Sequence, residues 1–164
     1  MTLRITPGNH LKPMIFHITG TALMIIGLYF FRFDQNMMKI FLIIWLIYTV
    51  PALYLHLEYY LKNRGQELKI LDSEIVFQDR NGNEKRYKPQ DLEKVVLYKS
   101  ASLDRGGLQL SAIESYHYAR IIPKEGEEII LTCLMAPNVE EALKQIRWVP
   151  YERKKRLFAS LNSF

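Results

Sequence analysis

Cysteine is nearly absent from this chain of 164 residues: Cys133 is the only one, which excludes an internal disulfide framework. No G-x-S-x-G, P-loop, G-x-G-x-x-G, paired-histidine zinc motif or cysteine pair occurs. The expectation is therefore a chain that is not an enzyme, with no catalytic residue and no cofactor. Charge is missing from two stretches. Residues 14–31 and 40–57 contain no Asp, Glu, Lys or Arg.

Each uncharged run is eighteen residues long, about 27 Å of helix at 1.5 Å per residue and close to the hydrocarbon thickness of a bilayer. Apolar residues occupy every face, so neither run has the stripe of a half-exposed helix. Eight residues, 32–39, separate the runs, which predicts a tight antiparallel transmembrane hairpin over residues 1–64, with helices at about 14–31 and 40–60. Tyr29, Trp45, Tyr48, Tyr54, Tyr59 and Tyr60 fall mostly towards the ends, as interfacial aromatics would. Gly20 and Gly27 offer places for close helix approach, and Pro51 frees a carbonyl four residues earlier. The first run lacks an A-x-A-like cleavage site, so it reads as a retained anchor.

The net charge of +5 is unevenly spread. Arg4, Lys12, Arg32, Lys39, Lys62 and Arg64 surround the uncharged runs, and Arg153, Lys154, Lys155 and Arg156 form a basic tail. Anionic lipid would attract cations so placed. No nucleic-acid motif accompanies them. The flanking cations nearly balance across the hairpin; the basic tail and short N-terminus favour both ends, and the domain, in the cytoplasm.

From Gln66 onward apolar residues alternate with polar ones, and turn signals intervene. Residues 67–71, 75–79, 84–88, 92–99, 115–123 and 127–134 read as strands, with Asn81-Gly82 as a hairpin turn. In the long strand Val95 and Leu97 share one side, Val96 and Tyr98 the other. Residues 100–112 read as a loop. Asp104-Arg105-Gly106-Gly107-Leu108 within it reads as a connection, since no helix start follows to make a phosphate site. Asn138 caps a helix with Val139, Ala142, Leu143 and Ile146 on its apolar face. Residues 151–161 suggest a second short helix. The part from Gln66 onward is expected to fold without the anchor as a β-rich domain.

Short antiparallel strands closed by one helix resemble the pleckstrin-homology (PH) superfold, and more specifically bacterial PH-like domains tethered to a transmembrane hairpin. The likeness rests on LKILD (68–72), EIVF (74–77), YKPQDLEKVV (87–96), EEIIL (127–131) and NVEEAL (138–143). It implies an α+β membrane protein: an N-terminal two-helix hairpin, then over residues 65–164 a PH-like antiparallel β-barrel or sandwich capped by a helix. Phosphoinositide-binding relatives carry a basic cluster between their first two strands. The stretch read here as that loop, Asp72-Ser73-Glu74, is acidic, so that ligand is not expected.

Arg153, Lys154, Lys155 and Arg156, with Lys62 and Arg64, are the candidate membrane-surface or partner-binding residues. Together these features predict a non-catalytic interaction module or accessory subunit in a bacterial inner membrane. It would dock a protein partner or a second copy of itself, with anionic lipid as a further ligand. The other reading is a redox component: His17 and His56, expected at similar depth on facing helices, would hold haem or a metal. Cys133, in an apolar strand, reads as an inert thiol.

Overall fold

The computed structural model describes residues 1–30, 34–106, 111–146 and 148–162. Phe31 and Arg32, and residues 107–110 of the presumed loop, lie outside these. The first strand, β1 (Thr2–Arg4), precedes the hairpin. Helix α1 (Pro7–Phe30) begins with Pro7, whose fixed φ suits a first helical position and whose missing N–H costs nothing there. Asp34 caps helix α2 (Gln35–Asn63), accepting from the amides of Asn36 and Met37 at 3.0 Å. Both helices extend beyond the uncharged runs, because charge at 12 or 58 to 62 is compatible with helix outside an apolar layer.

The chain then forms β2 (Glu67–Ile70), β3 (Ile75–Gln78), β4 (Glu84–Tyr87), β5 (Leu92–Lys99), helix α3 (Ala101–Asp104), β6 (Tyr118–Pro123), β7 (Ile129–Thr132), helix α4 (Val139–Leu143) and β8 (Tyr151–Lys155). Asp79 shapes the β3–β4 turn by accepting from the amides of Asn81 and Asn83, while Gly82 takes φ +85°. Asn138 caps α4 through the amide of Glu141, and Val139, Ala142, Leu143 and Ile146 are buried as its apolar spacing predicts.

The strands make two four-stranded sheets, β1-β2-β3-β4 and β7-β6-β5-β8, and the described pairings do not close a barrel. All pairs are antiparallel except β5 with β8. Two expectations change here. Residues 2–4 belong to the first sheet, with Leu3 opposite Leu68, so the whole hairpin is the connection between β1 and β2. Asp72-Ser73-Glu74 accordingly joins the second and third strands. Residues 151–155 are a strand and not a helix, because β5 would otherwise leave a row of unpaired backbone groups. The charges of Glu152, Arg153, Lys154 and Lys155 suit an exposed edge.

Strand β5 is buried on both faces. Val95 and Leu97 enter a core between the sheets that α4 completes, with Leu68, Ile75, Ile121 and Leu143. Val96 and Tyr98 enter a second core that includes Tyr116, Tyr118 and Leu134, and its other wall is Leu55 and Tyr59 of α2. The hairpin is thus a packed layer of the domain at its base.

Further along, it is bare. Both helices are long and apolar enough to cross a membrane, yet only 6% and 17% of their most apolar windows are buried. Ile15, Leu23, Ile26, Ile43, Ile47 and Leu53 all stand at least about half exposed. A core helix of a water-soluble protein would be covered.

Candidate functional site

The functional geometry concentrates at the seam where α1 and α2 meet the sheets. His10 Nδ1 lies 2.9 Å from His56 Nε2, and His56 Nδ1 lies 3.0 Å from the Tyr116 hydroxyl. The hydroxyl donates to Met14 Sδ at 3.2 Å. One donor direction satisfies the chain: His10 donates to His56, His56 to Tyr116, and Tyr116 to Met14. This relay ties both helices to Tyr116, two residues before β6.

Two further clasps lie nearer the end of α2. Asn63 donates to the Ile130 carbonyl at 2.7 Å and accepts from Thr132 Oγ1 at 2.6 Å, both within β7. Glu58 accepts from Ser160 Oγ at 2.9 Å, the Leu161 amide at 3.1 Å and Asn162 Nδ2 at 2.8 Å. Tyr59 donates to the Ala159 carbonyl at 2.6 Å, and Phe158 stacks on Tyr54 with centroids 6.1 Å apart. Residues 158–162 therefore run along α2. Buried clasps of this kind hold the domain to the hairpin in one orientation.

The predicted cations divide. Arg153 pairs with Glu140 and with Asp104 Oδ1 at 3.9 Å, and Lys155 pairs with Asp104 Oδ2 at 3.2 Å. These two fasten β8 to α3 and α4. Lys99, at 2.7 Å, also holds Glu140, whose carboxyl it keeps below the usual carboxylate range. Arg156 lies 4.7 Å from the ring centre of Tyr98, on the hairpin side of the sheet. Lys154 has no ion pair among the described residues. Lys62 and Arg64 end α2, where Arg80 donates to the carbonyls of Leu61 and Lys62 and Arg64 lies 5.9 Å over Tyr60. No single basic surface collects all six.

His17 and His56 fall in separate clusters. His17 Nε2 is 3.5 Å from Thr49 Oγ1, seven residues before His56 and so about 10 Å along the helix from it. The imidazole that meets His56 is His10. It precedes the uncharged run, so lack of charge does not single it out. Pro7 was the available signal, since a helix starting there carries His10 one turn inside α1. Among the described residues no group of three or more His, Cys, Asp or Glu is arranged to hold a metal. Cys133 is buried, and burial pushes its thiol up to about 12, which keeps it protonated. Gly20 is not a close-approach site: a Cβ there would meet nothing within 4 Å, while one at Gly27 would meet Phe41 at 3.9 Å.

A family model described as PH domain matches residues 4–144. The chain belongs to this PH domain family. No curated relative matches it. The matched span starts in β1 and ends just beyond α4, so it encloses the helical hairpin. In this PH domain the α1–α2 hairpin is the connection between the first two strands.

Proposed function

We propose that the chain is a PH-domain interaction module anchored in a membrane by α1 and α2. In this reading it serves as an accessory subunit of a larger membrane assembly, docking a protein partner or a second copy. The membrane is a bacterial inner membrane, and both termini and the sheets lie on its cytoplasmic side. The observation that carries the reading is the contrast along the hairpin. Its base is sealed against the sheets by Leu55, Tyr59 and Asn63, while the remaining turns leave Ile, Leu and Phe side chains uncovered. Exposed apolar surface on that scale needs lipid or protein around it.

Anchoring through two clasped helices supports a module whose sheets are held at a set distance and angle from the bilayer. Arg156 and Lys154 on the hairpin side, with Lys62 and Arg64, are the cations this places nearest anionic headgroups. Leu157, which is 88% exposed beside Arg156, is the docking side chain. A photo-crosslinking residue at Leu157 in the membrane-embedded chain should label one protein strongly and reproducibly. The same probe at Asn81, on the far β3–β4 turn, should not. Equal labelling patterns from the two positions would refute docking through this edge.

A further inference from the structure

Two cavities lie one above the other along α1, and both include Phe16 in their walls. The upper, of about 150 Å³, is bounded by Lys12, Pro13, Ser115, His117 and Cys133. The lower, of about 400 Å³, opens between α1 and α2 around Gly20, with Trp45 and Tyr48 opposite. Eight helical residues separate Lys12 from Gly20, about 12 Å. Lys12 stands two residues before the uncharged run begins, at headgroup level if α1 spans a bilayer, and Gly20 lies well inside that run.

The chemistry of each cavity is defined by its walls. His117 is buried, and its Nδ1 lies 2.8 Å from the Ser115 carbonyl. A carbonyl only accepts, so Nδ1 carries the proton and Nε2 is an acceptor. Among the described residues Nε2 has no hydrogen-bond partner. Burial pushes the imidazole down to about 4, so it stays neutral. The upper cavity thus offers one acceptor and, at its mouth, the Lys12 ammonium, and none of its described walls is Asp or Glu. It calls for an anion that also has a hydrogen to donate.

In the lower cavity four polar wall groups pair off: Trp45 Nε1 donates to Thr21 Oγ1 at 2.9 Å, and His17 meets Thr49, leaving Tyr48 and Ser111 as the other polar side chains of the wall. Most of the rest, including Phe16, Leu23, Met24, Phe41 and Ile44, is apolar surface, in the size range of a small-molecule site.

Resting on the membrane reading above, we propose that the seam holds one phospholipid with a hydroxyl-bearing headgroup, of the phosphatidylglycerol kind. Its phosphate meets Lys12, a headgroup hydroxyl donates to His117 Nε2, and one acyl chain fills the gap beside Gly20. Ethanolamine would put an ammonium beside Lys12 with no carboxylate in the described cavity walls to balance it, the nearby Glu140 being held by Lys99. Choline has no hydrogen to donate.

The test is native mass spectrometry of the full chain from micelles doped with equimolar dioleoyl-phosphatidylglycerol and dioleoyl-phosphatidylethanolamine. One phosphatidylglycerol should be retained in about tenfold preference, the worth of one charge-assisted contact. Lys12→Gln, at an exposed site, and His117→Asn should each remove that preference. Gly20→Leu, which has room for its side chain, should lower retention of both lipids. Free glycerol phosphate at millimolar concentration should not displace the lipid; if it does so fully, the acyl half of the proposal is wrong. Equal retention of the two lipids, or a preference that survives Lys12→Gln and His117→Asn, overturns the site. A chain that is monodisperse without detergent overturns the membrane reading instead.

Discussion

Glu58 Oε1, one turn from the end of α2, lies 2.9 Å from Ser160 Oγ, four residues from the end of the chain. A carboxylate on α2 thus organises the segment at residues 160–162. Glu58→Ala should leave the Ser160, Leu161 and Asn162 donors to find water. The expected cost is about 1–3 kcal/mol, and residues 157–162 should become the first site of limited proteolysis. Unchanged melting and protease resistance would mean that the clasp is not formed.

Leu143 of α4 is buried in the core between the two sheets. Leu143→Ala should cost about 2–5 kcal/mol, the usual range for a buried leucine. Urea unfolding in detergent measures it, and a loss below half a kcal/mol would undock α4.

The basic tail should behave as a strand. Placing proline at Glu152, whose N–H faces β5 in the register fixed by Val95 N on the Pro150 carbonyl and Arg156 N on the Lys99 carbonyl, removes a ladder donor and should detach β8 from β5, destabilising the fold. Lys154→Gln, without an ion pair to lose, should change stability by less than about 0.5 kcal/mol. Similar tolerance at both positions would favour a frayed tail.

His117 gives the fold a defined acid sensitivity. Its imidazole titrates near 6.5 when unfolded and is pushed down to about 4 by burial when folded. Above 6.5 neither state binds the proton and the stability is intact. Between 6.5 and 4 the unfolded state takes up a proton that the folded state refuses, so stability falls by about 1.4 kcal/mol per pH unit, or about 3 kcal/mol in all. Glu140, kept low by Lys99, acts only below its ordinary 4.5, so the windows barely overlap. Melting across pH 7 to 4 should show the His117 slope in the native chain and lose it in His117→Asn.

These sites were unequally legible. The hairpin could be read because lack of charge over eighteen residues is a local property. Strand β1 could not, since Thr2-Leu3-Arg4 acquires a partner only across more than sixty residues. The alternation of β5 was plain, but burial of both its faces depends on α2 returning to cover Val96 and Tyr98. Arg153 and Lys155 stood out as a cluster, yet their acids, Asp104 and Glu140, come from separate helices. The expectation that the chain from Gln66 onward folds alone meets the same long-range dependence, since Leu3 of β1 and Leu55 and Tyr59 of α2 belong to its cores. That fragment lacks β1 and leaves Tyr98, Tyr116 and Tyr118 bare.

In the proposed reading α1 and α2 are embedded in lipid while their base is fused to the PH domain. Alkaline carbonate extraction of membranes from cells expressing the full chain tests it most directly. The chain should stay in the membrane pellet and be released only by detergent, as a species needing detergent to remain monodisperse. Release by carbonate, followed by a monodisperse chain in plain buffer, would contradict it.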